Sequence, residues 1–580
     1  MAETEIENKL KLWVENVTDA ELSKQLQEMQ KDYAAGNKDA VNDAFFQDLH
    51  FGTAGLRGII GAGTNRMNIH TVGRATQGYA NYLHANFEHP SVVIARDPRH
   101  NGELFCEVAA SILAANGVKV HYYDEIAAVP LLSFTVRKLG ATGGICMTAS
   151  HNPAKYNGYK VYGSDGCQIA SETAAAISEA IEQVDTFTGV KTMPFDDTRN
   201  NDQFSYIKRD VPEAYVDAVL EQGLKLHPNR PYGDHFEHPD QFRQSLKVVY
   251  APLYGAGCKP VERIFSKAGF YYLYIPAGHD YPDGDFPDCK SPNPENIDVY
   301  EYPAWLGNDV GANIVLATDP DADRVGVMCR RYREDFKLLT GNEVGILLLD
   351  YICRCRKNNG ENLSEKVAVT TIVSSAMTDC LAQEYGFELR RCLTGFKYIG
   401  NIISELARAG EEERFIFGFE ESCGYLSGAH VRDKDAPNAC LLIAEMAQAY
   451  LDQHKSLLDV LDELYNKYGW YFNRTVSVSF PGAQGAETMK AIMDSLHKNP
   501  PSEVAGFAVE EVLDYSSGIN GLPPADVLEL RLANNNKLIV RPSGTEPKIK
   551  LYVFACGKSE SEANDLLDTL EAAGRELLNA

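Results

Sequence analysis

Cysteine is scarce in this chain: thirteen in 580 residues, an odd number, with no CxxC pair and Cys353-Arg354-Cys355 as the nearest approach. Such usage argues against a disulfide framework or a zinc site and fits a reducing cytoplasm. Positive charge is also in deficit. Against 81 acidic residues stand 55 Lys and Arg, a net charge of −26, which argues against a nucleic-acid partner, since that needs a basic face. No uncharged apolar run reaches the roughly 18 residues of a membrane span, so no membrane partner is expected. The N-terminus, MAETEIENKLKLW, lacks the basic-then-apolar order of a signal peptide and reads as an amphipathic helix. Nothing resembles a coiled coil, and a monomer or weak dimer is expected.

What is present is an alternation of short β-branched runs, loops and helical periodicity. SVVIARDP (91–98) reads as strand and loop, ELFCEVAASILAANG (103–117) as helix and KVHYYD (119–124) as strand. LKVVYAPLYGAG (246–257), ANIVLATDPDADR (312–324) and ERFIFGFEES (413–422) continue the pattern of buried parallel strands. VVIARDP and IVLATDP hint at an internal repeat. Proline, asparagine and charge collect at 188–214, suiting an interdomain linker, and at 275–300, suiting a long loop inside a domain. The expected fold class is α/β: three related α/β domains with mixed sheets plus a smaller α+β C-terminal domain. The divisions are a helical extension at 1–44, then 45–200, 201–332, 333–466 and 467–580.

Asp319, Asp321 and Asp323 of DPDADR follow a predicted strand at spacings of two. In extended backbone they point the same way, and a hard cation such as Mg²⁺, Mn²⁺ or Ca²⁺ would relieve their repulsion. The bland alternative is a solvated acidic turn. An EF-hand fails because Arg324 and Arg330 stand where glycine and glutamate belong. A haloacid-dehalogenase-like phosphatase wants Thr or Val at Asp323. RPSGTEPK (541–548) supplies an arginine fork at Arg541, hydroxyls at Ser543 and Thr545, open backbone at Gly544 and charge at Lys548, the makings of an anion nest or of a plain β-turn. In GFEESCGYLSGAHVRDKD (418–435), Glu420 and Ser422 are equipped to hold sugar hydroxyls, and Lys434 to reach a phosphate; a helix N-terminus fits the same spacing. GTAGLRG (52–58) is not the dinucleotide fingerprint, and Arg57 there is an anion contact or a surface arginine. TGFK (394–397) alone reads as a turn before a helix.

TASHNPAKYNGYK (148–160) places Ser150 before His151, and Lys160 after an Asn157-Gly158 turn. The GxSxG elbow of acyl-transfer hydrolases is missing, and by itself the stretch reads equally as a serine-initiated turn. A phosphoserine, with roughly −1.5 to −2 charges, would complete the coordination of a cation held by the aspartates.

TASHNP, DPDADR, GFEES and RPSGTEP, in this order, resemble the α-D-phosphohexomutase superfamily, most closely its bacterial phosphoglucomutase and phosphopentomutase-like branch. The resemblance implies four domains around a central cleft, each bringing one of these loops. It implies that Ser150 is phosphorylated, that Mg²⁺ is held by that phosphate with Asp319, Asp321 and Asp323, and that Arg57 and Arg324 lie beside it. Lys160 and His151 would move protons, Lys160 if its pKa is depressed. Thr394, Glu420, Ser422 and Lys434, with Asp323, would bind the sugar, while Arg541, Ser543, Gly544 and Thr545 would hold the idle phosphate. The implied activity is interconversion of glucose 1-phosphate and glucose 6-phosphate, with glucose 1,6-bisphosphate as intermediate and activator. Pentose or mannose phosphates, a bisphosphate synthase, a metal-dependent phosphatase and a non-catalytic sugar-phosphate binder are the alternatives.

Overall fold

The acidic N-terminal stretch winds into helices Glu3–Asn16, Ala20–Ala34 and Asp39–Phe45. Asp19 starts the second by accepting from Leu22 N at 2.9 Å, a cap worth about 1 kcal/mol. Their apolar stripes, including Leu10, Trp13, Leu26 and Phe45, close on Ala62 to make a small core. The computed structural model describes residues 3–52, 55–224, 245–480, 485–519, 521–542 and 548–579. The chain divides into two compact units: Met1–Thr340 with Phe396–Gly418 and Ser422–His454, and Gly341–Gly395 with Phe419–Glu421 and Lys455–Ala580.

The first unit holds two mixed sheets. One runs, edge to edge, Leu56–Ile59, Tyr156–Gly163, Gly143–Met147, Ser91–Arg96, Lys119–Tyr122 and Phe204–Tyr206. Its first two pairings are antiparallel and the rest parallel. Gly143–Met147 is buried at every residue, as a strand covered on both faces must be. The second runs Lys337–Leu339, Val325–Cys329, Ile314–Thr318, Val248–Ala251 and Leu273–Tyr274, again antiparallel twice and then parallel. In each sheet a fully buried central strand turns back through a hairpin: Gly143–Met147 into Tyr156–Gly163, and Ile314–Thr318 into Val325–Cys329.

Two expectations change here. VVIARDP and IVLATDP do not occupy matching places: by sheet order, Ser91–Arg96 corresponds to Val248–Ala251, and Ile314–Thr318 to Gly143–Met147. Their likeness reflects a shared need for buried β-branched residues. The stretch 188–214 is more than a linker, because it contains helix Phe195–Arg199 and the edge strand Phe204–Tyr206. Phe204 packs 5.5 Å from Tyr122 and 6.0 Å from Phe195, centroid to centroid; that apolar burial outweighs the loop-forming asparagines around it. The stretch 275–300 is largely irregular, as expected, with one short 3₁₀ turn at Ile297–Tyr300.

In the second unit, Val367–Thr371 and Glu388–Cys392 pair in parallel. The C-terminal α+β domain is one antiparallel sheet, ordered Trp470–Ser479, Lys548–Gly557, Asn536–Pro542, Leu528–Leu532, Phe507–Asp514 and Glu503–Val504. Leu530, Leu538, Val540 and Leu551 of the sheet share a core with Met493 and Leu570 of helices Gly485–Lys498 and Glu560–Asn579. Among the described residues, no helix is long and apolar enough to cross a membrane.

Candidate active site

The hairpin after Gly143–Met147 carries Ser150. Its backbone is in the left-handed region at φ 52°, which costs a non-glycine residue about 1–2 kcal/mol. Thr148 Oγ1 accepts from Ser150 N at 2.9 Å, tightening the turn. Ser150 is buried, and its Oγ donates to Asp319 Oδ2 at 2.8 Å, with His151 Nδ1 at 3.1 Å. The serine hydroxyl therefore ends on the other hairpin's carboxylate, 169 positions away in the chain.

Asp319, Asp321 and Asp323 do converge, with ligand atoms within 4.8 Å of one another. The extended backbone expected for them is absent. A turn, in which Ala322 N donates to Asp319 O at 2.9 Å and Ala322 takes φ 53°, folds the three side chains together. Asp319 Oδ1 accepts from Asp323 N and Arg324 N at 3.1 and 3.0 Å. Among the described residues, the buried Asp321 Oδ1 and Asp323 Oδ1 have no hydrogen-bond partner, although Arg324 Nε stands 3.8 Å from Asp323 Oδ1. Unpartnered buried carboxylate oxygens are costly, and an all-oxygen set of this kind suits a hard divalent cation. Burial, reinforced by Asp321 and Asp323, pushes Asp319 well above the carboxylate range. Burial pushes Asp323 up too, but Lys434, Lys160 and Arg324 overcome it and hold that carboxyl far below its usual value.

The cations come from several elements of the first unit. Lys160, on strand Tyr156–Gly163, donates to Asp321 Oδ2 at 2.8 Å and Asp323 Oδ2 at 3.2 Å. Burial pulls its pKa down, yet Asp321, Asp323 and Asp433 carry it above the ordinary lysine value. In this arrangement, with no cation on the aspartates, the carboxylates favour the ammonium form of Lys160. Lys434 lies 3.2 Å from Asp323 Oδ2. Arg324 bonds Glu295 Oε1 at 3.0 Å and the carbonyl of Ser422 at 3.2 Å. Arg57 stays open to solvent; desolvation by surrounding atoms still lowers its pKa, Asp321 opposing and Arg324 adding to the shift. His151 is pushed well below 6.5 by burial and then by Arg324 and Arg57, so it is neutral at pH 7.

The second unit gathers a separate set. Glu420 ends strand Phe415–Glu420 and is buried. Thr394 lies half-buried in the turn before helix Phe396–Arg408, with Gly395 at φ 118°. Arg541 sits near the end of strand Asn536–Pro542. The Tyr552 phenol is raised by burial first and then by Glu421, with Arg541 opposing and Glu420 adding, which brings these side chains into one electrostatic neighbourhood. Ser543, Gly544 and Thr545 lie outside the described residues.

A phosphoglucomutase of Staphylococcus epidermidis is 34% identical to the chain over 534 residues, 90% of this chain and 93% of that protein. One of Staphylococcus aureus is 34% identical over 554 residues, 93% and 94% of the two chains. The chain belongs to the phosphoglucomutase/phosphomannomutase family. All four of the family's domain descriptions match in order: alpha/beta/alpha domain I at residues 48–187, domain II at 230–332, domain III at 340–468 and the C-terminal domain at 502–573. Its fold is shared with the open form of Paramecium parafusin (TM-score 0.68, 18% identity, 92% of this chain and 96% of that one). It is shared too with a family member from Burkholderia thailandensis (TM-score 0.65, 18% identity, 91% and 97%). Membership makes the chain a phosphohexomutase, an intramolecular phosphotransferase of the isomerase class. In that family setting, Asp97, Thr148, Asp433, Glu295 and Ser291 are the residues the sequence did not announce. Thr148 Oγ1 lies 2.6 Å from Asp97 Oδ2 and 3.1 Å from Asp321 Oδ2, and Ser291 Oγ donates to the His151 carbonyl at 2.6 Å. Signals existed for three of them: the DP pair closing VVIARDP for Asp97, the first letter of TASHNP for Thr148 and the stretch 418–435 for Asp433.

Proposed function

We propose that the chain interconverts glucose 1-phosphate and glucose 6-phosphate through phospho-Ser150 and a glucose 1,6-bisphosphate intermediate. The 2.8 Å bond from Ser150 Oγ to the buried aspartate cluster carries this reading: it sets a hydroxyl against a site fit for a cation. Asp319, Asp321 and Asp323 would hold Mg²⁺, with the Ser150 phosphate as a further ligand. When bound, the metal supplies charge neutralisation to the phosphoryl group.

Phosphoryl transfer depends on positioning and charge more than on covalent assistance. Arg57, Lys160 and Arg324 would offset charge at the reacting phosphate. Ser150 Oγ must regain a proton as the phosphoryl group departs and lose one when it is rephosphorylated. Among the described residues, Asp319 Oδ2 and His151 Nδ1 lie within reach of that oxygen. Thr394, Glu420, Ser422 and Lys434 would bind the sugar, and Arg541 with Ser543, Gly544 and Thr545 the phosphate at rest. The loops fall one to each of the divisions 45–200, 201–332, 333–466 and 467–580, which we propose as domains. Thirteen free thiols support a cytoplasmic location, and a monomer or weak dimer is proposed.

Glucose, mannose, ribose and N-acetylglucosamine 1-phosphates, each with trace bisphosphate and Mg²⁺, form the test. Turnover of glucose 1-phosphate, with phosphate on Ser150 by intact mass, is expected; free phosphate instead of isomer would make the chain a phosphatase. No turnover together with no uptake of phosphate on Ser150 from glucose 1,6-bisphosphate would end the proposal.

A further inference from the structure

Strand Ser91–Arg96 runs out into Asp97, Pro98 and Arg99, and the reaction as described leaves Arg99 without a task. This arginine is 2% exposed, and its guanidinium donates to five oxygens. Nε reaches Asp97 Oδ2 at 3.1 Å. Nη1 reaches the carbonyls of Pro153 and Tyr156, each at 3.0 Å. Nη2 reaches the carbonyls of Ser150 and Asn152, each at 2.5 Å. A guanidinium has five N–H donors in a rigid fork, and here each has an acceptor. Four of those acceptors are main-chain carbonyls between positions 150 and 156, so the loop bearing Ser150 is bent around one buried cation.

The cation is itself fixed from behind. Its Cζ lies over the Phe286 ring, 5.0 Å from the centroid. Gly284 runs so close beneath that a Cβ there would stand 2.8 Å from Pro98 O and 2.9 Å from His100 N. Asp97 balances the charge and also takes the Thr148 hydroxyl at 2.6 Å, while Arg99 N bonds Asp97 Oδ1 at 3.0 Å. Carbonyls drawn inward by this fork leave the serine side chain facing outward to Asp319.

We propose that Arg99 is a positioning residue for the phosphoryl transfer: by collecting the carbonyls of residues 150–156 it holds Ser150 in its left-handed conformation with Oγ aimed at the aspartate cluster. It touches no reacting atom. The inference rests on Ser150 being the phosphorylated residue, so the parent chain must first isomerise glucose 1-phosphate; failure there would refute that reading and not this one.

Arg99→Lys keeps the charge and loses the fork. Misplacing a nucleophile by about 1 Å costs about 10²-fold in rate, so kcat is expected to fall by about that factor while KM for glucose 1-phosphate stays within about threefold. Phosphate uptake by Ser150 from glucose 1,6-bisphosphate, followed by quenched intact mass, should slow by the same factor. Amide hydrogen exchange should quicken at 148–156 and stay unchanged in strand Ile314–Thr318. A kcat within about threefold of the parent, or exchange quickened evenly across both sheets, overturns the assignment. If Arg99→Lys does not fold, Phe286→Leu carries the test: losing the ring beneath the guanidinium should cost about fivefold in kcat, with exchange altered only at 97–100 and 148–156. Parent-like kcat, or misfolding of this variant as well, reduces Arg99 to a general stabiliser and overturns the proposal.

Discussion

The turn at 148–155 and the turn at 319–324 occupy the same place in two sheets of matching strand order, yet they are built with opposite electrostatics. The first contains no acid; it curls around a cation and presents a hydroxyl. The second concentrates three carboxylates with one cation of its own, Arg324, while Lys160 comes from the first hairpin's return strand and Lys434 from a later loop. On the proposed mechanism, one hairpin supplies the group that accepts phosphate, and the other supplies the field in which that group works. A protein of net charge −26 can thus handle an anion, because Arg57, Lys160, Arg324 and Lys434 collect around the pair of turns.

Replacing the acceptor gives the largest effect expected. Ser150→Ala should lower kcat by at least about 10⁴-fold, as loss of a covalent nucleophile does, and intact mass should show no phosphate on the chain after glucose 1,6-bisphosphate; near-parent turnover would break the division of labour. Neutralising the other turn comes next. Asp321→Asn or Asp323→Asn should cost about 10²–10³-fold in kcat, the scale of a lost electrostatic stabiliser, and a chelator should abolish parent activity until Mg²⁺ is restored. Chelator-resistant turnover would contradict the metal assignment. A smaller change tests the direct link between the turns. Thr148→Val keeps shape and removes the hydroxyl facing Asp97 and Asp321; denaturant unfolding should show a loss of about 1–3 kcal/mol and kcat a fall of about tenfold, the rate equivalent of about 1.4 kcal/mol.

The mildest effect lies outside both turns and sets the baseline. His497, in helix Gly485–Lys498, has Asp526 Oδ1 and Asp514 Oδ2 each 2.9 Å from a ring nitrogen. Burial pulls its pKa down, but the two carboxylates raise it above 6.5. A raised folded-state value means the stabilisation is complete below the unfolded pKa and fades as pH climbs through the folded one. The melting temperature should therefore drift down between about pH 6 and pH 8, and His497→Gln should flatten the drift. An unchanged slope would remove the pair from consideration.

Much of the site was legible because its side chains act locally. DPDADR announces convergent carboxylates whatever backbone brings them together, although the turn at Ala322, and no extended strand, does so here. TASHNP and GFEES set their candidate groups in adjacent letters. Arg99 was illegible for the opposite reason: its partners are main-chain carbonyls more than fifty positions away, and a carbonyl has no letter. Lys160 was read as a proton carrier on condition of a depressed pKa; in this geometry three carboxylates oppose the shift that burial alone would give it, and only geometry reveals the third, Asp433. The repeat misled because β-branched letters mark any covered strand, while the strand's rank in the sheet is a matter of pairing.

The two turns share one more trait with a third, which follows strand Phe415–Glu420: Ser150 at φ 52°, Ala322 at φ 53° and, in the third, Cys423 at φ 60° each hold a side-chain-bearing residue where glycine would be relaxed. Glycine at Ala322 would ease that conformation yet enlarge the repertoire of the unfolded chain. A pinched bend used three times behaves like a standard socket, in which the backbone is settled in advance and the tool inserted can be exchanged by altering a few side chains.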